Sequence, residues 1–272
     1  MRNPKQPTSM PREASAFEPV PPPILRPWSA DRLVAGFCGR AGGVSVGEFA
    51  TMNLSEAVGD VPESVAENWR LLRAALPSDS LVARVVQVHG SEIVEVTRDS
   101  ARERPRADGM VTREAGVVLG ILTADCVPVL LCDAHEHVAG ALHAGWRGVL
   151  GGIAQAGIAA MNSLGADVGS IRAALGPSIG LCCFEVEQDL AERFGAEIPS
   201  ASRHRRAGRP GKAYLDLRAI VRDQLIEAGL APSAIESVGP CTRCSAARFF
   251  SRRAAGGAVT GLQLSFAGFA AR

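Results

Sequence analysis

Two short, uninterrupted apolar runs near the middle of the chain constrain its fold more than any other feature. Residues 127–131 and 138–142 carry no charged side chain and are separated by a short polar loop. Runs of this length, bounded by polar or turn residues, are typical of strands buried on both faces, and the loop suits a hairpin-type turn. Asp125 and Cys126 precede the first run, and His143 follows the second. Reactive side chains at the ends of buried strands indicate a scaffold that presents a site.

The composition is that of one folded domain with a substantial core. The chain has 272 residues, of which 47% are hydrophobic and 21% are charged. No repeat or linker divides it after the first 30 residues, so we predict a single catalytic domain over residues 31–272. Prolines crowd the beginning of the chain without an apolar segment. Residues 1–30 are therefore predicted to be a disordered leader rather than a signal peptide.

Charge and cysteine content argue against several classes of partner. A net charge of +1 gives no field that favours nucleic acid or a membrane surface, so a small ligand is the more natural partner. No apolar stretch approaches the roughly 20 residues that a membrane helix needs. Seven cysteines at irregular spacings, without an export signal, predict reduced thiols in the cytoplasm. A monomer and a homodimer are both compatible with these features.

Periodicity and composition predict the elements around the central strands. The clearest helix covers residues 60–76, with Asp60 as its cap and Glu63 completing a capping box. A second helix is predicted over residues 148–164, which would aim its N-terminus at the central site. Residues 199–211 are rich in arginine and are predicted to be a solvated, mobile loop. The Gly/Ala-rich end of the chain is predicted to be a tail.

Three side chains that are far apart in the chain form a candidate metal site. His89, Cys126 and His143 each stand at the end of a predicted strand. If these ends converge, two imidazoles and one thiolate make a three-ligand site with an open fourth position, as in catalytic zinc sites. Each residue also has a structural interpretation, because free cysteines are commonly buried as small hydrophobic groups. A mononuclear copper ion is compatible with the same ligands.

Other histidines and cysteines offer competing sites. His135 and His137 lie at the tip of the predicted hairpin, where we expect them to be solvated. Cys241 and Cys244 have the spacing of half a zinc ribbon, but the sequence shows no second pair with that spacing.

Cys182 and Cys183 support a rival chemistry. Being adjacent, they would point to opposite faces of a regular strand, so we predict that they do not share one site. Cys183 is nevertheless a candidate catalytic nucleophile with His143 as its base. A thiol enzyme of that kind would survive the removal of metal, whereas a metalloenzyme would not.

Beyond single residues, a series of short motifs follows one order along the chain. They are Gly39-Arg40-Ala41-Gly42-Gly43-Val44-Ser45, Met52-Asn53-Leu54, Gly59-Asp60, Gln87-Val88-His89-Gly90, Thr123-Ala124-Asp125-Cys126-Val127-Pro128, His143-Ala144-Gly145-Trp146-Arg147-Gly148, Gly176-Pro177-Ser178-Ile179-Gly180, Cys183-Phe184-Glu185-Val186, Cys241-Thr242 and Phe249-Phe250-Ser251. Over residues 32–253 the chain resembles the YfiH family, also called laccase-domain or polyphenol-oxidase-like proteins. It departs from that family where Ser251 runs directly into Arg252, because an aromatic residue usually intervenes.

The resemblance implies a fold and a cofactor. The fold is α+β with α/β-type layers, a CNF1/YfiH-like single domain of mixed β-sheets with flanking helices. The implied cofactor is one zinc ion held by His89, Cys126 and His143. Copper-dependent oxidation of phenols is an older assignment of the family. The five histidines of this sequence are too few for a multicopper centre, although a single copper ion stays compatible.

The resemblance also implies substrates. Members of the family are described as purine nucleoside phosphorylases that cleave adenosine, inosine, guanosine and methylthioadenosine with phosphate, and as enzymes that deaminate adenosine. The family is also linked to peptidoglycan editing, so a cysteine-dependent amidase is an alternative. A binding module without enzymatic activity is the third possible function, after the phosphorylase and the amidase.

Five residues are the candidates for substrate contacts. Arg147 and Arg40 are expected to hold phosphate through their guanidinium forks, although Arg40 also suits an ordinary glycine-rich turn. Asp125 either orients a ligand or shuttles protons, or it is a structural carboxylate. Asn53 and Gln87 are candidates for hydrogen bonds to the base or the ribose.

Overall fold

The computed structural model describes residues 24–271, which form three sheets and flanking helices. The strands are β1 (Ile24–Leu25), β2 (Leu33–Cys38), β3 (Leu81–Ala83), β4 (Ile93–Glu95), β5 (Gly109–Thr112), β6 (Val117–Thr123), β7 (Val127–Asp133), β8 (Val138–Ala144), β9 (Arg172–Leu175), β10 (Glu185–Glu187), β11 (Arg205–Ala207), β12 (Lys212–Leu215), β13 (Ile235–Ser237) and β14 (Gln263–Phe269). The helices are α1 (Pro62–Ala74), α2 (Trp146–Leu150), α3 (Ile153–Ser163), α4 (Gln188–Glu197) and α5 (Leu217–Glu227), with short 3₁₀ helices at Gly47–Phe49, Pro199–His204 and Pro232–Ala234.

Two large mixed sheets carry the fold. One has the strand order β1-β2-β14-β6-β3 and the other β13-β9-β7-β8-β5-β4, while β10, β12 and β11 form a small antiparallel sheet. The predicted central hairpin is confirmed, because β7 and β8 pair antiparallel and every residue of both strands is buried. His143 does not follow the second strand but lies inside β8, opposite Pro128. Its position in a paired strand fixes its backbone.

Three buried clusters show how the layers stack. α1 covers the outer face of the five-stranded sheet with residues such as Trp69. The two large sheets pack on each other through side chains that include Phe37 and Leu130. α3 and α5 cover the other face of the six-stranded sheet, with Met161 and Ile220 in that cluster. The layers therefore run helix, sheet, sheet, helix, and β7 and β8 lie between two apolar layers.

The Gly/Ala-rich end of the chain is a central strand, so the prediction of a tail was wrong. β14 pairs with both β2 and β6 and is buried along its whole length. A Cβ at Gly268 would lie 2.2 Å from the Val117 carbonyl oxygen. The small residues here reflect close packing between strands.

The helix predicted over residues 148–164 is two helices. α2 begins earlier, at Trp146, and ends before Gly151. Gly152 then adopts a left-handed φ of +75° before α3 begins, a conformation that favours glycine because it has no Cβ. The glycines that weaken the helical pattern therefore mark the break.

Asp60 does not cap α1, which corrects another prediction. The helix begins at Pro62 with Val61 as its N-cap, and no side chain of residues 24–271 caps it. Asp60 instead accepts hydrogen bonds from Ser45 Oγ at 2.7 Å and Asn53 Nδ2 at 2.9 Å. Its carboxylate therefore connects the glycine-rich segment 39–45 to the turn before α1.

The arginine-rich segment 199–211 is structured, contrary to the prediction of a mobile loop. It contains a 3₁₀ helix and β11, which pairs with β12. Arg203 and His204 both contact the Asp223 carboxylate of α5, at 2.7 and 2.5 Å. Neighbouring charges therefore order part of the basic segment.

The predicted leader falls largely outside the described residues. Residues 1–23 belong to the part of the chain that is not described, whereas Ile24 and Leu25, which the prediction placed in the leader, pair with β2. Within residues 24–271, no helix combines the length and apolarity that crossing a membrane requires.

Candidate metal centre and adjoining cavity

The three predicted metal ligands meet at one point. One ligand atom from each of His89, Cys126 and His143 lies within 4.8 Å of the others. The two imidazoles are 4.8 Å apart between ring centroids and stand nearly perpendicular, at 81°. His143 is buried, Cys126 is half-buried and His89 is exposed. We call these three residues the candidate metal centre.

Asp108 holds both histidines and was missed in the sequence. Its buried carboxylate lies 2.8 Å from His143 Nδ1 and accepts hydrogen bonds from the backbone N–H groups of Val88, His89 and Gly90 at 3.1, 2.9 and 2.6 Å. A carboxylate that accepts from Nδ1–H leaves Nε2 of the imidazole free to bind a metal. An acidic residue directly before the buried strand β5 was the sequence signal that could have revealed it.

The electrostatics favour a thiolate at Cys126. Burial raises the pKa of the Cys126 thiol, but the charge and hydrogen bond of His143, together with His89, outweigh it and lower the pKa to about 6. Burial likewise disfavours the charged form of His143, yet the Cys126 thiolate and the Asp108 carboxylate raise its pKa to about 9. The thiolate is the form of cysteine that binds metals.

The packing around Gly145 tests whether the three ligands fit one ion. A Cβ at Gly145 would lie 3.0 Å from His89 Cδ2, 3.4 Å from Cys126 Sγ and 3.6 Å from His143 Cε1. All three ligand side chains therefore surround the same small residue, in a space that a larger side chain would crowd. A donor set of two imidazole nitrogens and one thiolate suits Zn²⁺, and copper as well. The residues present therefore fit one mononuclear ion.

A cavity of about 300 Å³ adjoins the candidate metal centre. His89 and His143 line one part of it, and Arg84 and Arg104 line another. Both guanidinium groups pair with the Glu56 carboxylate, at 2.9 and 2.5 Å. Two positive charges share one negative charge, so the pocket keeps an excess of positive charge. Its volume is at the lower end of the range of small-molecule sites, about 300–1,000 Å³.

The arginines of this cavity were not among the sequence candidates. Arg104 lies in the charged segment 98–106, whose composition is typical of a solvated turn. Arg84 follows β3 without a recognisable motif. Glu56 comes from a third segment, and only the fold brings the three together. No local spacing signalled the cluster.

Gln87 and Asn53 support the cavity through backbone groups. Gln87 lines it, but its amide donates to the Leu122 carbonyl and accepts from the Leu122 N–H, both at 2.8 Å. Asn53 is buried; its side chain donates to the Ser55 carbonyl and accepts from the Leu262 N–H. Ser55 and Leu262 are lining residues. These contacts shape the walls of the cavity.

The predicted phosphate-binding arginines lie elsewhere. Arg40 donates to the carbonyl groups of Ala50 and Ala246 at 2.8 and 2.7 Å, which braces the glycine-rich segment. Arg147 is exposed, stacks on Trp146 at 4.3 Å and lines a separate cavity of about 290 Å³ with Arg193. Neither is a lining residue of the cavity beside the metal centre.

Asp125 lies next to Cys126 but is held by other partners. It adopts a positive φ of 95°, and its carboxylate accepts from Thr242 Oγ1 at 2.6 Å and from the Arg253 N–H at 2.7 Å. Both carboxylate oxygens are thus bound to the segment that follows β13. Of the two interpretations offered by the sequence, these contacts favour the structural carboxylate.

Cys183, the candidate nucleophile, belongs to a different group of side chains. Its Sγ lies 3.4 Å from Cys244 Sγ, and Cys182 and Cys241 are close by. We call these four residues the cysteine cluster. Cys182 and Cys183 lie in a turn rather than a regular strand, so both reach one point and the prediction that they cannot was wrong.

The chain is similar in sequence to a described family and to named relatives. A family model described as "Multi-copper polyphenol oxidoreductase laccase" matches residues 34–270. A protein of Streptomyces coelicolor named purine nucleoside phosphorylase is 41% identical over 222 residues, which cover 80% of this chain and 89% of that protein. The purine nucleoside phosphorylase YlmD of Geobacillus stearothermophilus is 38% identical over 247 residues, with coverage of 86% and 89%.

Solved structures share the fold. The crystal structure of YlmD from Geobacillus stearothermophilus aligns with a TM-score of 0.82 at 36% identity, covering 88% of this chain and 93% of that one. A Bacillus licheniformis protein named YfiH aligns with a TM-score of 0.83 at 29% identity, covering 87% and 92%. These similarities confirm the predicted class of a single domain with mixed sheets.

Proposed function

Because the chain belongs to the laccase-like YfiH family, in which relatives are named purine nucleoside phosphorylases, we propose that it is a metal-dependent purine nucleoside phosphorylase. The observation that carries this proposal is the cavity that joins two histidines of the candidate metal centre to an arginine pair. One pocket thereby combines groups suited to a metal with groups suited to a phosphate.

We assign the metal to His89, Cys126 and His143, with zinc as the expected ion and copper as the alternative. When bound there, the ion supplies Lewis acidity that polarises a substrate oxygen. Asp108 fixes the tautomer of His143 and the backbone of His89, so the ligands are oriented before the ion arrives. Two of the three ligands, His89 and His143, line the cavity, whereas Cys126 lines a separate small cavity with Asp125 and Trp146.

We assign phosphate binding to Arg84 and Arg104. In phosphorolysis a phosphate oxygen forms a bond to the anomeric carbon of the ribose, while the glycosidic C–N bond breaks and the purine leaves with its electron pair. Guanidinium groups bind phosphate through paired N–H donors. Glu56 holds both arginines at one side of the cavity and already accepts from both terminal nitrogens of Arg104, so phosphate would bind through the remaining guanidinium N–H groups or in place of Glu56.

The last assignment is the identity of the nucleoside substrate. We propose that adenosine, inosine, guanosine and methylthioadenosine are cleaved, and that adenosine is also deaminated at the same site. Apolar lining groups such as Val85 and Leu122 suit the face of a purine. The cysteine-dependent amidase has less support, because Cys183 lies in the cysteine cluster and not beside His143.

The test is a product assay with the zinc-loaded protein. Incubation with adenosine and phosphate should yield adenine and ribose-1-phosphate, with inosine as the product of deamination. Cys126→Ala should abolish turnover, and chelation should do the same to the wild type. Turnover that survives both treatments would overturn the metal-dependent phosphorylase.

Two arginine variants test the assignment of the phosphate site. Arg104→Met should raise the KM for phosphate at least about tenfold with a smaller change in kcat, because a hydrogen bond to a charged group is worth about 1.5–3 kcal/mol. Arg147→Met, in the separate cavity, is the matched control and should leave that KM unchanged. If Arg147→Met raises the KM for phosphate and Arg104→Met does not, phosphate binding must be assigned to Arg147 instead.

A further inference from the structure

The cysteine cluster (Cys182, Cys183, Cys241 and Cys244) lies outside the proposed active site. All four Sγ atoms are within 4.8 Å of one another, and no disulfide links them. Cys182 and Cys244 are exposed, Cys241 is half-buried and Cys183 is buried. A metal ion can therefore reach the cluster from solvent on one side and be enclosed on the other.

Backbone hydrogen bonds hold the two cysteine-bearing turns against each other. Ser178 and Cys241 form a parallel bridge, and the Thr242 N–H donates to the Ser178 carbonyl at 3.0 Å. The Gly180 N–H donates to Cys241 Sγ at 3.3 Å, and the Cys183 N–H donates to the Gly180 carbonyl at 2.9 Å. The sulfur atoms are thus placed by the fold and not by flexible side chains alone.

Two of the six sulfur–sulfur distances in the cluster are close to those around a single tetrahedral ion. Cys244 Sγ lies 3.6 Å from Cys182 Sγ and 3.4 Å from Cys183 Sγ. With Zn–S bonds of about 2.3 Å at tetrahedral angles, the sulfur atoms of a four-thiolate zinc site lie about 3.8 Å apart. A disulfide would require about 2.05 Å. The two distances are close to the zinc value, and the other pairs lie within 4.8 Å.

We propose that the cysteine cluster is a second metal site, which binds one Zn²⁺ through four thiolates and has a structural role. Four-coordinate thiolate sites are closed, so the ion has no free position for substrate. Thr242 lies between two of the ligands and donates to Asp125, the residue before Cys126. A zinc ion in the cluster would therefore stabilise the turn that supports the candidate metal centre.

The first test counts zinc in the full chain, purified under reducing conditions. Elemental analysis should give two zinc ions per wild-type chain and one in the double variant Cys182→Ser/Cys244→Ser, whose substitutions are at exposed positions. His89→Ala should also retain one. Cys132→Ala removes a buried cysteine outside both sites and should retain two. One zinc in the wild type, with the same value in the double variant, would overturn the proposal.

The second test separates the two sites even if the double variant fails to fold. In His89→Ala only the cysteine cluster is intact, so Co²⁺ should produce thiolate-to-metal absorption of a tetrahedral four-sulfur site in this variant. Adding zinc should also raise its midpoint of denaturation. If His89→Ala shows neither the cobalt spectrum nor the stabilisation by zinc, the cysteine cluster is not a metal site. Because neither measurement depends on turnover, failure here leaves the proposed phosphorylase standing.

Discussion

The candidate metal centre and the cysteine cluster use similar side chains in opposite ways. The metal centre offers two imidazoles and one thiolate beside a cavity of about 300 Å³. The cysteine cluster offers four thiols, and none of them lines that cavity. Three ligands leave a coordination position open, whereas four close the shell. The number of ligands and the space around them, rather than the residue type, separate a reactive site from a structural one.

The two sites also differ in what holds their ligands. Asp108, a buried carboxylate, binds one histidine side chain and the backbone of the other. In the cysteine cluster, backbone N–H groups such as that of Gly180 have this role. A carboxylate tunes the basicity of a ligand as well as its position. The metal centre should therefore respond more strongly to the loss of its supporting residue.

Asp108→Asn tests this difference between the two sites, and its expected effect is the largest. Zinc affinity of the metal centre should fall about 10- to 100-fold, the usual cost of losing such a partner, while the affinity of the cysteine cluster stays unchanged. Competition with a chromophoric chelator measures both constants.

Asp133→Asn is the matched control for that variant. Asp133 is equally buried and accepts three backbone hydrogen bonds at the far end of β7, one of them from the His135 N–H, but within residues 24–271 no imidazole contacts its carboxylate. This variant should lose stability without losing zinc affinity. An equal loss of affinity in both variants would show that Asp108 acts only through general stability.

Thiol reactivity in the metal-free protein provides a second contrast. The pKa of Cys126 is about 6, whereas the hydrogen bond with Cys183 raises the pKa of Cys244. At pH 7 Cys126 should therefore react faster with iodoacetamide than the more exposed Cys244, because the thiolate is the nucleophile. Between pH 7 and pH 5 the rate at Cys126 should fall about tenfold as the thiolate is protonated. Peptide mapping by mass spectrometry measures each site; faster modification of Cys244 at pH 7 would contradict the contrast.

The sequence predicts the central hairpin better than the elements packed around it. The hairpin of β7 and β8 is predicted correctly because the sequence of both strands is almost continuously apolar. β14 is missed because the glycine and alanine run at residues 254–258 gives the end of the chain the composition of a tail, although the strand itself carries Leu264, Phe266 and Phe269. The break between α2 and α3 depends on the left-handed Gly152, and glycine content alone does not locate it.

The same limit applies to the site. His89, Cys126 and His143 are found because reactive residues stand out beside apolar runs in the sequence, although the structure places His143 inside β8. Arg84 and Arg104 are missed because charged residues are common on surfaces and only the tertiary fold assembles them. The cysteine cluster is missed because adjacent cysteines diverge in a strand, whereas residues 182–183 lie in a turn.

Thr242→Val tests whether the two sites are independent, and its expected effect is the smallest. Thr242 is buried, and its hydroxyl is a link between the cysteine-bearing turn and Asp125 beside Cys126. Valine keeps the shape and removes the donor, so unfolding should become easier by about 1 kcal/mol, the net worth of a typical hydrogen bond. Asp125 retains the hydrogen bond from the Arg253 N–H, which limits the loss. Denaturant titration measures the change.

Combining Thr242→Val with Cys182→Ser/Cys244→Ser completes a thermodynamic cycle. If a metal in the cysteine cluster supports the metal centre through Thr242, the combined loss of stability should differ from the sum of the separate losses by more than about 0.5 kcal/mol. The coupling should vanish when zinc is removed, because only the loaded cluster fixes the turn. Additive losses in the presence of zinc would mean that the cluster stabilises its own turn alone, and that the metal centre is supported from the side of Asp108.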